Sequence, residues 1–186
     1  MPQHALWIPY LEGRFRHLSN LLYDTSIHPA VADAELTPLL AANVRFIDPW
    51  QTASGRGKYR VGIAGFHAMF RFKLEIDQVS VQLAPDYATA RVLIDGVMNL
   101  RPFGPMYTYP LRTILRYDLT LTAGPGDLPD VTITAHEEMW SLGDMLAAAP
   151  FGGRFYDRVF RPGFSRGFLV ASWLSAKARG MLPDVR

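Results

Sequence analysis

The apolar residues of this chain change period partway along it, and that change restricts the fold more than any single residue does. Leu11, Phe15, Leu18 and Leu22 recur at i, i+4, i+7 and i+11, the stripe of an amphipathic helix. Later the pattern alternates. Leu111, Thr113, Leu115, Tyr117, Leu119 and Leu121 fall on one face of a strand, with Arg112, Ile114, Arg116, Asp118 and Thr120 on the other. Helices first and consecutive hairpins after them predict an α+β fold, a curved antiparallel sheet packed on three N-terminal helices.

The first helix is expected to end at Asp24-Thr25-Ser26, ahead of Pro29. A second, short helix is predicted from Thr37-Pro38, a capping residue followed by proline at the first helical position. It reads Leu39-Leu40-Ala41-Ala42 and stops near Asn43. Val44, Phe46 and Asp48 then alternate with Arg45 and Ile47 as a strand closed by Pro49. Tyr59, Ile63, Phe66 and Phe70 restore helical spacing for a third helix. Strands are predicted over 72–83, 89–100, 111–121 and 131–140, parted by segments rich in glycine, proline and aspartate. Residues 1–142 form the α+β domain on this reading. Residues 143–186 form a helical extension packed on the same domain, with Phe155, Tyr156, Val159 and Phe160 ahead of Pro162 and a second helix over 168–179.

Apolar residues make up 49% of the 186 and charged ones 19%, which suits an ordered core. The absence of cysteine rules out disulfides and thiolate metal sites and fits a reducing compartment. No stretch approaches the roughly 18–20 apolar residues of a membrane span. The N-terminus lacks the basic start and apolar run of a secretory signal, so an intracellular, cytoplasmic location is expected. Charge is unevenly placed. Residues 151–186 carry seven Lys/Arg against two Asp, while residues 1–150 carry twelve against fifteen Asp/Glu. Such a basic, aromatic tail suits a membrane surface or an anionic partner, and equally a solvated helix face. The five histidines show no metal spacing, no glycine-rich phosphate loop or GxSxG occurs, and no nucleic-acid-binding module is recognisable.

Among residues able to carry chemistry, Asp48 stands out because alternation places it with Val44 and Phe46, aiming a carboxylate at an apolar interior. Burial would raise its pKa toward the range of a useful general base. An aspartate before proline also caps turns, and that role stays open. Tyr23 sits late in the first helix at the edge of its stripe, and His67 borders the third helix's stripe as a core-edge histidine. His136, Glu138 and Trp140 share one face of the last strand, yet Val131, Ile133, Ala135 and Met139 are its apolar set and would turn His136 outward. A β-bulge would reconcile the two. Arg116 and Asp118 share the outer face of their strand, where cross-strand ion pairing is expected.

The run Leu39 to Pro49, followed by Gly57-Lys58-Tyr59-Arg60, and the pair Leu115-Arg116-Tyr117-Asp118 and His136-Glu137-Glu138-Met139-Trp140, resemble the nuclear transport factor 2-like superfamily. That superfamily has a cone-shaped α+β fold shared by ketosteroid isomerases, scytalone dehydratase and SnoaL-like polyketide cyclases. The resemblance spans about residues 11–142. It implies a pocket for an apolar, ring-bearing ligand and cofactor-free acid-base dehydration, isomerisation or cyclisation. Asp48 would be the base, with Tyr23 and His136 as hydrogen-bond donors or acids, and Phe66, Thr113, Tyr117, Glu138 and Trp140 lining the pocket. Thr113 stands where an isomerase carries a neutral acid, a departure that weighs against steroid-type isomerisation. The competing reading is a noncatalytic binding module, a homodimer through the outer sheet face, with residues 151–186 docking on a membrane or partner.

Overall fold

Leu11, Phe15, Leu18 and Leu22 are all buried in a computed structural model, on helix α1 (Trp7–Leu22). The structure describes residues 6–49, 52–101, 106–124, 127–141, 143–144, 152–160 and 162–163. Helix α1 ends at Leu22, a turn earlier than the Asp24-Thr25-Ser26 breaker suggests. Asp24 is drawn toward the sheet by a bridge to Lys73, and its Oδ1 accepts from the Ser26 amide at 2.9 Å.

Helix α2 is Pro29–Leu36, and this corrects the expectation of a helix running from Pro38 to Asn43. Proline at the first helical position occurs twice, and the His28-Pro29 copy is the one used. His28 Nδ1 accepts from the Ala30 amide at 3.2 Å as the cap. Thr37–Leu39 forms only a 3₁₀ turn, and Leu40 already begins strand β1 (Leu40–Ile47). Pairing with the last strand overrides the helix propensity of Leu-Leu-Ala-Ala.

Strand β2 (Thr52–Ser54), helix α3 (Arg56–Met69), and strands β3 (Phe72–Leu83), β4 (Thr89–Leu100), β5 (Tyr109–Ala123) and β6 (Pro129–Trp140) complete the unit. The curved, six-stranded sheet has the order β2-β1-β6-β5-β4-β3. Every neighbouring pair is antiparallel except β1 with β6, which is parallel. The inner face buries Val92, Ile94, Leu115, Leu119 and Ile133, and α1 packs on it with Phe15 against Tyr117. On the outer face Arg116 pairs with Asp118 at 2.6 Å and with Glu137 at 3.1 Å, and Arg91 pairs with Asp118 at 2.9 Å. Burial pushes the Asp118 carboxyl up, but hydrogen bonds from Arg116 and Arg91 hold it below the usual range. The pair is the cross-strand ion network its register predicts.

The register shifts between β1 and β6, and by a single extra residue on β3 and on β6. Asp77 is the extra residue on β3, where Ile76 faces Gly96 and Gln78 faces Asp95. A Cβ on Gly96 would lie 2.3 Å from the Glu75 carbonyl oxygen, so the close approach there requires glycine. On β6, Ile133 faces Leu119 while Ala135 faces Asp118, leaving Thr134 as the extra residue. Its hydroxyl donates to the Asp118 carbonyl at 3.0 Å.

The chain divides into two compact units, Met1–Leu142 and Gly143–Arg186. In the second, α4 (Gly152–Phe155) is followed by a π-helical turn over Tyr156–Phe160. Phe155, Val159 and Phe160 are exposed there. The helix expected over 168–179 lies outside the described residues. No helix among the described residues is long and apolar enough to cross a membrane.

Candidate functional site

Beyond the Thr134 bulge the faces of β6 exchange: Val131 and Ile133 are buried before it, His136 and Glu138 after it, and Met139 is exposed. One inserted residue thus carries a histidine and a carboxyl into the apolar interior and turns the apolar alternation outward. The outward placement of His136 that plain alternation predicts is corrected on this ground, and the bulge is the device that brings the inner-face reading about.

Three other elements deliver partners. Tyr23 caps the C-terminus of α1, Tyr59 lies on the first turns of α3, and Tyr117 faces inward from β5. The Tyr23 hydroxyl donates to Glu138 Oε1 at 2.5 Å and lies 3.1 Å from His136 Nε2. The Tyr59 hydroxyl lies 2.7 Å from His136 Nδ1. Tyr117 stacks on the imidazole, with centroids 4.3 Å apart at 16°, and shares a 3.1 Å hydrogen bond with Ser19. Phe46 meets the same imidazole at 70°, 5.3 Å away. Trp140 Nε1 donates to Glu138 Oε2 at 3.3 Å.

The hydrogen positions follow from these contacts. Because the Tyr23 proton is directed to the carboxylate, Tyr23 can only accept from His136, so Nε2 carries the imidazole hydrogen. Nδ1 is then the acceptor of a hydrogen bond donated by the Tyr59 hydroxyl. Every donor points toward Glu138.

Burial sets the electrostatics. It raises the Glu138 carboxyl from 4.5 to about 7, with the Asp48 charge pushing the same way and hydrogen bonds from Tyr23 and Trp140 pulling back. It depresses His136 to about 3, so the imidazole is neutral. Tyr23 and Tyr59 are driven well above the ordinary phenol value, first by burial and then by nearby charge and neighbouring phenols. One group in the cluster, Glu138, therefore exchanges a proton near neutral pH.

The structure brings Tyr23, His136, Glu138, Trp140 and Tyr117 into one contact network. Asp48 stands at its edge, just past β1 and half-buried, near enough for its charge to act on Glu138. Thr113 is fully buried opposite Trp140, and its hydroxyl donates to the Leu111 carbonyl at 3.1 Å. Phe66 is half-buried against Phe70 and Phe72. His67 is buried at the core edge and donates through Nε2 to the Leu22 carbonyl at 2.6 Å. Sequence reasoning missed Tyr59 and Ser19. Tyr59 opens the apolar stripe of α3, where a phenol supplies a polar tip as well as bulk. Ser19 lies four residues after Phe15 and four before Tyr23, a hydroxyl set on a buried stripe. No group of three or more His, Asp or Glu among the described residues is placed to hold a metal.

A second feature adjoins the cluster. Between α2 and α3 lies a cleft of about 360 Å³, lined by Leu36, Leu40, Ile63 and Tyr59, with Asp33 and Arg60 also on its wall. Arg60 grips Asp33 through two 2.6 Å hydrogen bonds.

Compared by sequence, the chain matches no protein-family model and no curated protein. Compared by structure, it is similar to nuclear transport factor 2 from Cryptosporidium parvum, at 16% identity and a TM-score of 0.53, over 75% of this chain and 96% of that one. It is also similar to a candidate dehydratase of the NTF2-like family from Streptomyces avermitilis, at 15% identity and a TM-score of 0.52, over 72% and 98%. A candidate scytalone dehydratase from Novosphingobium aromaticivorans matches at 18% identity and a TM-score of 0.51, over 71% and 82%. Identities this low speak for architecture alone: the chain has the NTF2-like cone fold.

Proposed function

We propose that this domain binds an apolar, ring-bearing small molecule on its inner face and moves protons on it, with Glu138 as the acid-base group. The observation that carries the reading is the convergence of Tyr23, Tyr59, His136 and Glu138 in one buried hydrogen-bonded cluster. Burying a carboxyl and a histidine is costly unless they are satisfied, and an apolar substitute would hold the core as well. A group that ionises near neutral pH can both take and return a proton, as dehydration, isomerisation and cyclisation each require. The dehydratase names of two structural neighbours agree with this class.

In such a reaction Glu138 would take a proton from carbon beside a carbonyl and later return it, with Tyr23 holding the carboxyl in place through its hydrogen bond. Asp48 serves as a second carboxylate at the edge of the site, and its charge keeps Glu138 basic. Trp140 is half-buried beside the carboxyl and supplies a flat apolar wall.

The test is binding followed by turnover. The probe is 2-naphthol, an uncharged two-ring molecule with one hydroxyl, titrated while tryptophan fluorescence is recorded. Saturable quenching is expected, retained in Asp48→Asn and weakened in Trp140→Ala. Mass spectrometry of the natively purified protein is expected to reveal a co-purifying aromatic or alicyclic compound. No saturable response together with an empty protein would overturn the reading. If ligand is retained and Asp48→Asn turns it over unchanged, Asp48 leaves the mechanism while Glu138 stays in it.

A further inference from the structure

We propose that Tyr59, His136 and Tyr23 form a directional proton relay joining the α2–α3 cleft to Glu138, in which His136 changes tautomer and never charge. The proposal rests on the reading of Glu138 as the group that exchanges protons, and it adds the route by which that proton is replaced.

The geometry gives a continuous chain: Tyr59 to His136 Nδ1 at 2.7 Å, His136 Nε2 to Tyr23 at 3.1 Å, and Tyr23 to Glu138 Oε1 at 2.5 Å. Tyr59, although buried, is also one of the side chains lining the cleft, so the far end of the chain borders that cleft. With Glu138 ionised, all hydrogens point toward it. Protonating Glu138 on Oε1 reverses this, because Tyr23 can no longer donate to that oxygen. Tyr23 must turn its hydrogen to Nε2, Nδ1 must carry the imidazole hydrogen, and Tyr59 becomes the acceptor of that bond. The Tyr59 hydrogen is then released from His136.

The transfer balances. A proton arriving from solvent bonds to the Tyr59 oxygen as the original Tyr59 proton passes to Nδ1. The Nε2 proton passes to the Tyr23 oxygen as the original Tyr23 proton passes to Glu138. One proton enters, one is stored on the carboxyl, and no intermediate residue ends charged. The environment demands such concerted movement, since burial disfavours both imidazolium at His136 and phenolate at Tyr23 or Tyr59. A ligand seated beside Trp140 and Asp48 would cover the direct path from Glu138 to water. A route through the opposite side would let the carboxyl be recharged while the site is occupied.

The ionisable and charged groups around the relay are few. Tyr23 comes from α1, Tyr59 from α3, Tyr117 from β5, Glu138 from β6 and Asp48 from the end of β1, with Phe46 the neutral neighbour from that strand. Asp33 of α2 and Arg60 of α3 neutralise each other on the cleft wall.

The experiment is a pH titration of the full chain labelled with ¹⁵N-histidine and ¹³C-carboxyl glutamate, followed by NMR. The expected result is that Nδ1 and Nε2 of His136 exchange protonated and unprotonated character, with the same midpoint as the Glu138 carboxyl. In Tyr23→Phe the chain is cut, so the tautomer should stop responding while Glu138 still titrates. If Glu138 titrates in the native protein and the tautomer stays fixed, or both nitrogens become protonated together, the relay is wrong and the acid-base reading survives. If Glu138 shows no titration near neutral pH, both fall.

Discussion

Replacing Glu138 by glutamine keeps the shape of the side chain and removes its titration, and the structure predicts a stability effect that depends on pH with a definite sign. Burial holds the native carboxyl at about 7 against an ordinary 4.5. The native state therefore keeps a proton that the unfolded chain releases. The associated stability is complete below the unfolded value and is lost as pH rises through the native one. Ionising a fully buried carboxyl across that interval costs about 3 kcal/mol. The variant escapes this cost. Its stability relative to the native protein should rise by about 3 kcal/mol between pH ~4.5 and pH ~8, whatever constant offset the lost hydrogen bond introduces.

His136 sharpens the test because its shift has the opposite sense. Its native value of about 3 lies below an ordinary 6.5, so stability is present above the unfolded value and is lost as pH falls. Between pH ~4.5 and ~6.5 the native state holds the Glu138 proton and the unfolded chain holds the imidazole proton. The two slopes cancel in the native protein. Glu138→Gln removes one of them, so the variant alone should gain about 1.4 kcal/mol per pH unit from this pair as pH rises through that range. Urea denaturation followed by circular dichroism, for both proteins at several pH values, measures the difference directly. A difference that does not change with pH would show that Glu138 is not held protonated, and the reasoning about its burial would fail.

Tyr23→Phe removes the 2.5 Å donor to Glu138, so the carboxyl pKa should rise further and stability should fall by about 1–3 kcal/mol, checked by NMR and denaturation. Asp48→Asn should lower the Glu138 pKa, since the Asp48 charge is one of the influences raising it; carboxyl NMR at matched ionic strength reads the direction. Gly96→Ala would press a methyl group onto the Glu75 carbonyl from 2.3 Å, with backbone rather than a flexible side chain in the way. It should destabilise by about 1–3 kcal/mol or more, and a wild-type midpoint in urea would rule out the packing argument.

Much of the fold was legible because the packing follows local periodicity. The stripe of α1 and the inner face of β5 are buried as their spacing predicts, since each element presents one apolar face to a single core. Two kinds of feature were not legible. The short helix was misplaced because Thr37-Pro38 and His28-Pro29 carry the same start signal. The choice between them depends on where Leu40 must pair with β6, a contact between residues far apart in sequence. The site was only half visible for a related reason. Tyr23, His136 and Glu138 could be singled out as polar side chains near apolar stripes, whereas Tyr59 looked like one more aromatic in a helix core.

The Thr134 bulge links these two difficulties. Strict alternation along β6 from Val131 would turn Ala135, Glu137 and Met139 inward and His136 and Glu138 outward, away from Tyr23 and Tyr59. One added residue inverts the faces for the second half of the strand. It also exposes Met139 and leaves Ala135 half-buried, while it moves Glu137 outward to its ion pair with Arg116. The inverted half, which ends in Trp140, is the half that meets Tyr23 at the end of α1 and Tyr59 on α3, with donors already aimed. A bulge that served only to bend the sheet would not need polar residues at both of the positions it turns inward. The two polar residues turned inward and the convergence of donors therefore point the same way, to a register that builds the buried polar cluster as well as the core.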